Sequence, residues 1–198
     1  MYYFILTFLF LICMNEAKSN TVIIGDSIFA LTRDVPNNLR DAGYNFEMRA
    51  QVGAKIEQIK KQYIMYKEEF GVPATVIMDG GGNNILKGML IECLRGEEKC
   101  FIEVERIAKF SNDFRKQLLE DGVEKIILVG IHYFHGWRAR LNAVVDYAMV
   151  RIDCTGACIL VDVREPFKDD GLLMIDGIHP NEKGSKIISD GILLALQE

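Results

Sequence analysis

The sequence predicts an α/β protein in which helices cover both faces of a parallel β-sheet. Short apolar, β-branched runs alternate with segments of helical period along the chain. The runs are apolar throughout instead of alternating with polar residues, as strands buried on both faces must be. A chain of 198 residues has room for one such domain with a full core.

The first strand is 21–25, "TVIIG", and a helix follows over 28–42, interrupted near Pro36. A second strand spans 44–50. Residues 55–70 place Ile56, Ile59, Tyr63, Tyr66 and Phe70 at helical spacing, and "GVP" introduces a third strand at 74–78. Residues 101–120 form a long helix with Ile102, Ile107, Phe110, Phe114 and Leu118 as its core stripe. Strand 125–130, helix 138–152, strand 157–163 and helix 182–196 complete the order. Right-handed crossovers wind these elements into a sandwich, whose ligand site lies beyond the C-terminal ends of the strands. The least regular stretch, 79–100, is expected to act as a lid or pocket wall.

The bulk numbers exclude one class. Lys and Arg total 23 against 28 Asp and Glu, a net charge of -5. A nucleic-acid backbone binder needs a basic face, and no basic run is present. The first nineteen residues read as a secretory signal peptide: "YYFILTFLFLICM" is apolar, polar "NEAKSN" follows, and Ala17 and Ser19 suit a cut after Ser19. The apolar run stops short of the ~20 residues a spanning helix needs. No Lys or Arg precedes it. The alternative is lipidation of Cys13, the one route to membrane association, although "FLIC" lacks small residues before the cysteine. The expected domain is 20–198, exported, and a monomer.

That domain would hold Cys93, Cys100, Cys154 and Cys158. Four cysteines allow three connectivities. Cys93–Cys100 and Cys154–Cys158 close the smallest loops, so each would fix a local shape more than it raises global stability. A zinc site is the rival reading, with spacings unlike the usual knuckles.

Polar residues gather at the predicted strand ends. Ser27 in "GDS" follows the first strand, Gly53 in "VGA" the second and Asn83 in "GGGNN" the third. Asp176 and His179 in "DGIHP" precede the last helix. Ser27 needs a base, and an imidazole titrating near neutrality can serve. Asp176 can take the other ring N–H and fix the tautomer. Backbone N–H groups of Ser27 and Gly53, with the Asn83 carboxamide, can hold an oxyanion. The bland readings are a helix cap at Ser27, a turn at Asn83 and a surface turn over 176–179. Asp26 reads as structural, bonding loop backbone.

The ordered set resembles the SGNH (GDSL-type) hydrolases, over nearly all of the mature chain. The layout is similar to the compact periplasmic thioesterase/lysophospholipase and arylesterase branch. The resemblance implies a flavodoxin-like three-layer α/β/α sandwich with a five-stranded parallel sheet. It also implies hydrolysis of esters or thioesters by Ser27, His179 and Asp176, with an oxyanion hole of Ser27, Gly53 and Asn83. No metal and no organic cofactor are expected. One departure stands out: where the family has Asp after the oxyanion asparagine, this chain has Asn84.

"GIHYFHGWR" follows the fourth strand and faces the same edge. His132, Tyr133, Phe134 and Trp137 are candidates for a substrate pocket, and "KGML" after Asn84 could serve likewise. His132 and His135 suggest a metal, with no third ligand evident. The expected function is a serine esterase acting on a small-molecule, lipid or carbohydrate ester. Carbohydrate O-acetyl ester hydrolysis is the enzymatic alternative. A non-catalytic binding module, or a lipoprotein interaction platform, is the alternative of another class.

Overall fold

The computed structural model describes residues 20–168 and 171–198. The leader and Cys13 lie outside the described residues. Five strands form one sheet: β1 (Thr21–Ile24), β2 (Glu47–Met48), β3 (Thr75–Met78), β4 (Lys125–Val129) and β5 (Cys158–Val161). All pairings are parallel, in the order β2-β1-β3-β4-β5. This is the flavodoxin-like order, with its switch point between β1 and β3. One row of the register runs Ile23, Ile77, Ile127, Ile159, four isoleucines side by side.

Strand side chains alternate between faces, and each face meets its own helices. Ile23, Ile77 and Ile127 pack with Phe29 of α1 (Ser27–Ala30), Val35 and Leu39 of α2 (Asp34–Asp41), and Ile188 and Ile192 of α8 (Glu182–Gln197). Val22, Ile24, Val76, Met78, Ile126 and Leu128 pack on the other side. Their partners come from α3 (Ile56–Phe70), α6 (Glu98–Glu120) and α7 (Asn142–Met149), among them Ile59, Tyr63, Phe114 and Val144. The three-layer expectation holds.

Several elements differ from the sequence reading. The helix expected over 28–42 is two, because the chain breaks after α1 and Arg33 takes a positive φ of 63° before α2 begins. Pro36 lies in the first turn of α2, where its missing N–H costs nothing. The second strand shrinks to two residues at the sheet edge. The 79–100 stretch is largely helical: α4 (Gly82–Gly88), α5 (Leu90–Leu94) and the start of α6. The segment 138–152 opens with a 3-10 turn, Gly136–Leu141, before α7. Ile102 is exposed, and the stripe of α6 runs instead through Cys100, Val104, Ile107, Phe114 and Leu118. Disulfides join Cys93 to Cys100, tying α5 to α6, and Cys154 to Cys158 at the start of β5.

Candidate active site

The site is assembled at the C-terminal ends of β1 and β3, the switch point. Just past β1, the buried Gln62 of α3 closes both backbone groups of Gly25. Its Oε1 accepts the N–H at 2.7 Å and its Nε2 donates to the C=O at 2.9 Å. A side chain at position 25 would meet Asp79 Oδ1 at 2.0 Å, so the close approach requires glycine. Asp26 caps α1, its Oδ1 accepting the Ile28 N–H at 3.0 Å. Because Asp26 is the cap, the Ser27 hydroxyl is left for another partner.

That partner is His179. Its Nε2 stands 3.0 Å from Ser27 Oγ, across 152 positions of sequence. Its Nδ1 stands 2.8 Å from Asp176 Oδ2. Asp176 Oδ1 accepts the backbone N–H groups of His179 and Ile178 at 2.8 and 3.0 Å. Burial opposes the charge on Asp176, but these N–H groups and the imidazole outweigh it and hold the carboxyl down to about 2. An ionised Asp176 places the ring proton on Nδ1. Nε2 is then unprotonated and accepts the Ser27 O–H in a hydrogen bond. The turn carrying both residues is docked from the loop after β4: His135 N–H donates to Gly177 O at 3.0 Å, and Arg138 donates to Asp176 O at 3.1 Å.

Gly53 and Asn83 flank the serine. Gly53 lies in a turn at φ 76°, and Lys87 of α4 donates to its carbonyl at 3.1 Å. Asn83, in the first turn of α4, gives one amide hydrogen to Asp26 Oδ2 at 3.0 Å. A carboxamide has a second. Asn84 faces away from this centre and ties α4 to the start of α3. Its Oδ1 accepts the Ile56 N–H at 3.0 Å and its Nδ2 donates to Glu57 Oε2 at 3.1 Å. Aspartate could make the first bond but would repel Glu57 at the second, which accounts for asparagine here.

A cleft of about 260 Å³ opens over Ser27, Gly53, Asn83 and His179. His132 and Phe134 line it; Tyr133 and Trp137 are not among its walls. The other two side chains of the loop are engaged elsewhere. Tyr133 donates to Asp146 at 2.7 Å, and Trp137 is 56% exposed beneath Arg138. His132 is stacked on Phe167 with its Nδ1 at the Tyr133 carbonyl, and His135 Nε2 meets the Phe167 carbonyl. Each histidine thus has a carbonyl on one ring nitrogen, and no group of three or more His, Cys, Asp or Glu side chains that could hold a metal ion occurs among the described residues. Asp79, Gln62 and Lys87 are site residues that the strand-end motifs did not bring out. A polar Gln62 on the otherwise apolar stripe of α3 was the available signal.

By sequence, no family model and no curated protein matches the chain. Solved structures do match. A member of the lipolytic protein G-D-S-L family from Veillonella parvula superposes with a TM-score of 0.63 at 14% identity, covering 90% of this chain and 98% of that one. The chain has the fold of the GDSL hydrolases. A catalytic mutant of Axe2, an acetylxylan esterase from Geobacillus stearothermophilus, gives 0.63 at 15% identity over 90% and 94%. LAE5, an alpha/beta hydrolase enzyme from the metagenome of Lake Arreo, Spain, gives 0.62 at 21% identity over 89% and 94%. What this GDSL fold places at its switch point is a hydroxyl, an imidazole and a carboxylate in hydrogen-bonding sequence, beside a carboxamide.

Proposed function

We propose that the protein is an exported serine ester hydrolase of the SGNH type. The observation that carries this reading is the Ser27–His179–Asp176 chain at 3.0 and 2.8 Å on the floor of a cleft. In the reaction, Ser27 Oγ attacks the ester carbonyl while His179 Nε2 takes its proton. The carbonyl oxygen becomes an oxyanion held by the N–H groups of Ser27 and Gly53 and the second amide hydrogen of Asn83. Collapse expels the alcohol or thiol, which receives the proton from His179, and leaves an acyl-Ser27 ester. Water, deprotonated by His179, attacks that ester and releases the acid.

The acyl half of the substrate is apolar in this reading. A second cavity of about 60 Å³ adjoins the cleft and shares Gly80, Gly82, Gly130 and Phe134 with it. Ile107, Ala108, Val145 and Ala148 line its depth. The alternative is a carbohydrate O-acetyl ester, favoured by the likeness to an acetylxylan esterase. A panel of oxygen esters and thioesters from acetyl to octanoyl, with acetylated xylan, decides between them. Wild type should turn over the longer acyl esters and Ser27→Ala none. Activity surviving in Ser27→Ala removes the assignment, and no turnover of any ester favours a binding module. Export is supported by the leader composition and by the two disulfides, which persist in oxidising compartments. Mass spectrometry of the mature N-terminus should find Asn20; an acylated Cys13 would make the protein a lipoprotein.

A further inference from the structure

Behind the serine lies a pair of carboxyl groups that the acyl-transfer reading leaves unused. Asp26 is 5% exposed and Asp79 is 4% exposed. The Asp26 N–H donates to Asp79 Oδ1 at 2.7 Å. Both Asp26 oxygens are occupied, Oδ1 by the Ile28 N–H and Oδ2 by the Asn83 amide, each at 3.0 Å. Asp79 Oδ2 is buried with no hydrogen-bond partner among the described residues.

Two negative charges this close in a buried site are prohibitive, and one proton relieves them. The hydrogen bonds say where it resides. The Ile28 N–H and the Asn83 amide favour the Asp26 anion, whereas Asp79 Oδ2 has no hydrogen-bond partner and the contact between the two carboxyls lowers Asp26 and raises Asp79. An unpartnered neutral O–H is far less costly to bury than an unpartnered half of a carboxylate. Burial first, and the Asp26 charge second, push the Asp79 carboxyl well above the usual range. Burial also raises Asp26, but the Ile28 and Asn83 bonds pull against it. The other groups around the pair are Gln62 of α3 and Asn83 of α4, both neutral. His179 acts on Asp26 through its charge, and the Lys87 ammonium is bonded to the Gly53 carbonyl.

We propose that Asp79 is a neutral positioning residue, holding the one proton of the Asp26–Asp79 pair so that the Asp26 carboxylate keeps the Asn83 amide aimed at the oxyanion. Neutral Asp79 anchors the Asp26 backbone, Asp26 fixes one Asn83 hydrogen, and the other is presented to substrate. Ionised Asp79 would set a second charge against Asp26 and disturb that aim. The catalytic part of this inference rests on the ester hydrolase reading; the location of the proton does not.

The test has two arms, both on the folded mature domain. Infrared spectroscopy at neutral pH should show a protonated-carboxyl carbonyl band in wild type that is lost in Asp79→Asn. Absence of the band, or its persistence in Asp79→Asn, overturns the proposal whatever the enzyme does. Stability follows with a definite sign. Below the unfolded carboxyl value of ~3.9 both states hold the proton, and above it the unfolded chain gives its proton up while the native state keeps it. This carboxyl therefore disfavours native wild type increasingly as pH rises above ~3.9, and Asp79→Asn should gain stability relative to wild type from about pH 4 to neutral pH. A constant difference over that window overturns it. In the kinetic arm, Asp79→Ala should lower kcat about tenfold with KM unchanged, the range typical of a supporting hydrogen-bond partner. Asp79→Asn should recover most of that loss. A loss confined to KM, or no recovery by asparagine, overturns the positioning role. If wild type hydrolyses no ester, the functional reading fails and the infrared arm still decides the proton.

Discussion

Replacing His132 by glutamine should flatten the acid side of the stability profile. The ring is 3% exposed, stacked on Phe167 with centroids 5.0 Å apart and edge-on to Phe134 at 5.7 Å. Burial first, then the neighbouring His179 and His135, push its titration down to about 4. The folded state therefore keeps this ring neutral where the unfolded chain, titrating near 6.5, takes up a proton. The unfolded state binds more protons at this residue between these values, so the ring's contribution to stability falls as pH drops from 6.5 and levels off below 4; the opposite contribution of Asp79 is common to wild type and variant and cancels in their difference. At ~1.4 kcal/mol per tenfold in proton concentration, the whole difference is about 3 kcal/mol, and about 2.5 kcal/mol is reached by pH 4.5. A small domain has roughly 5–15 kcal/mol in all. The assay is urea unfolding from pH 7.5 to 4.5. His132→Gln starts lower, having lost the stacking, but should lose about 2.5 kcal/mol less than wild type over the range. Carboxylates held low, Asp176 at about 2 among them, release their stability further down and do not mimic the effect. Parallel profiles for the two proteins would refute the reasoning.

Other outcomes follow from the site. A fluorophosphonate should label Ser27 and no other serine, and prior loss of His179 by His179→Ala should slow labelling by orders of magnitude; peptide mapping reads both. Asn83→Ala should lower kcat by about 10²–10³ with little change in KM, because the bond matters in the transition state; a lowered melting temperature with near-normal kcat would make Asn83 structural. Asp176→Asn should cut kcat by about 10⁴ through the wrong tautomer and lost stabilisation of the imidazolium; steady-state kinetics on a folded variant checks this. Non-reducing peptide mapping should recover Cys93 with Cys100 and Cys154 with Cys158; alkylation of all four as free thiols would contradict the pairing.

The interior of the sheet was legible because packing on both faces leaves one solution: β1, β3 and β4 lie within a residue of the apolar runs. The edge was not. The span 44–50 read as a long strand, but only Glu47 and Met48 are regular strand, paired as Val22↔Glu47 and Ile23↔Met48; past them the chain stays tied to β1 by the Arg49 N–H to Ile23 O and Gln51 N–H to Gly25 O bonds while turning into the loop that carries Gly53. Glycines at 80, 81, 82, 88 and 96 hid the short helices α4 and α5, whose stability comes from packing and not from propensity. The polar residues that converge on the cleft were legible because strand ends in such a sheet share one edge. Asp79 was not, since its importance depends on the partner that a tight turn brings to its side chain. For the aromatic loop, Ile131, His132 and Phe134 line the cleft while Tyr133 is drawn to Asp146, and composition does not record direction.

The 3.0 Å contact between Ser27 and His179 spans almost the whole domain, from the first strand to the edge of the last helix. Such a contact needs both ends of the domain, since α8 lies at the far end of the chain from β1. A nascent chain would carry the hydroxyl from its first residues and have no base to deprotonate it until α8 docks. If Ser27 is the nucleophile, a ribosome-bound or translocating intermediate is chemically silent, and ester cleavage begins with the completion of folding. Labelling of Ser27 would then time the docking of the 176–197 segment in refolding, reporting on the last part of the molecule through a residue in the first.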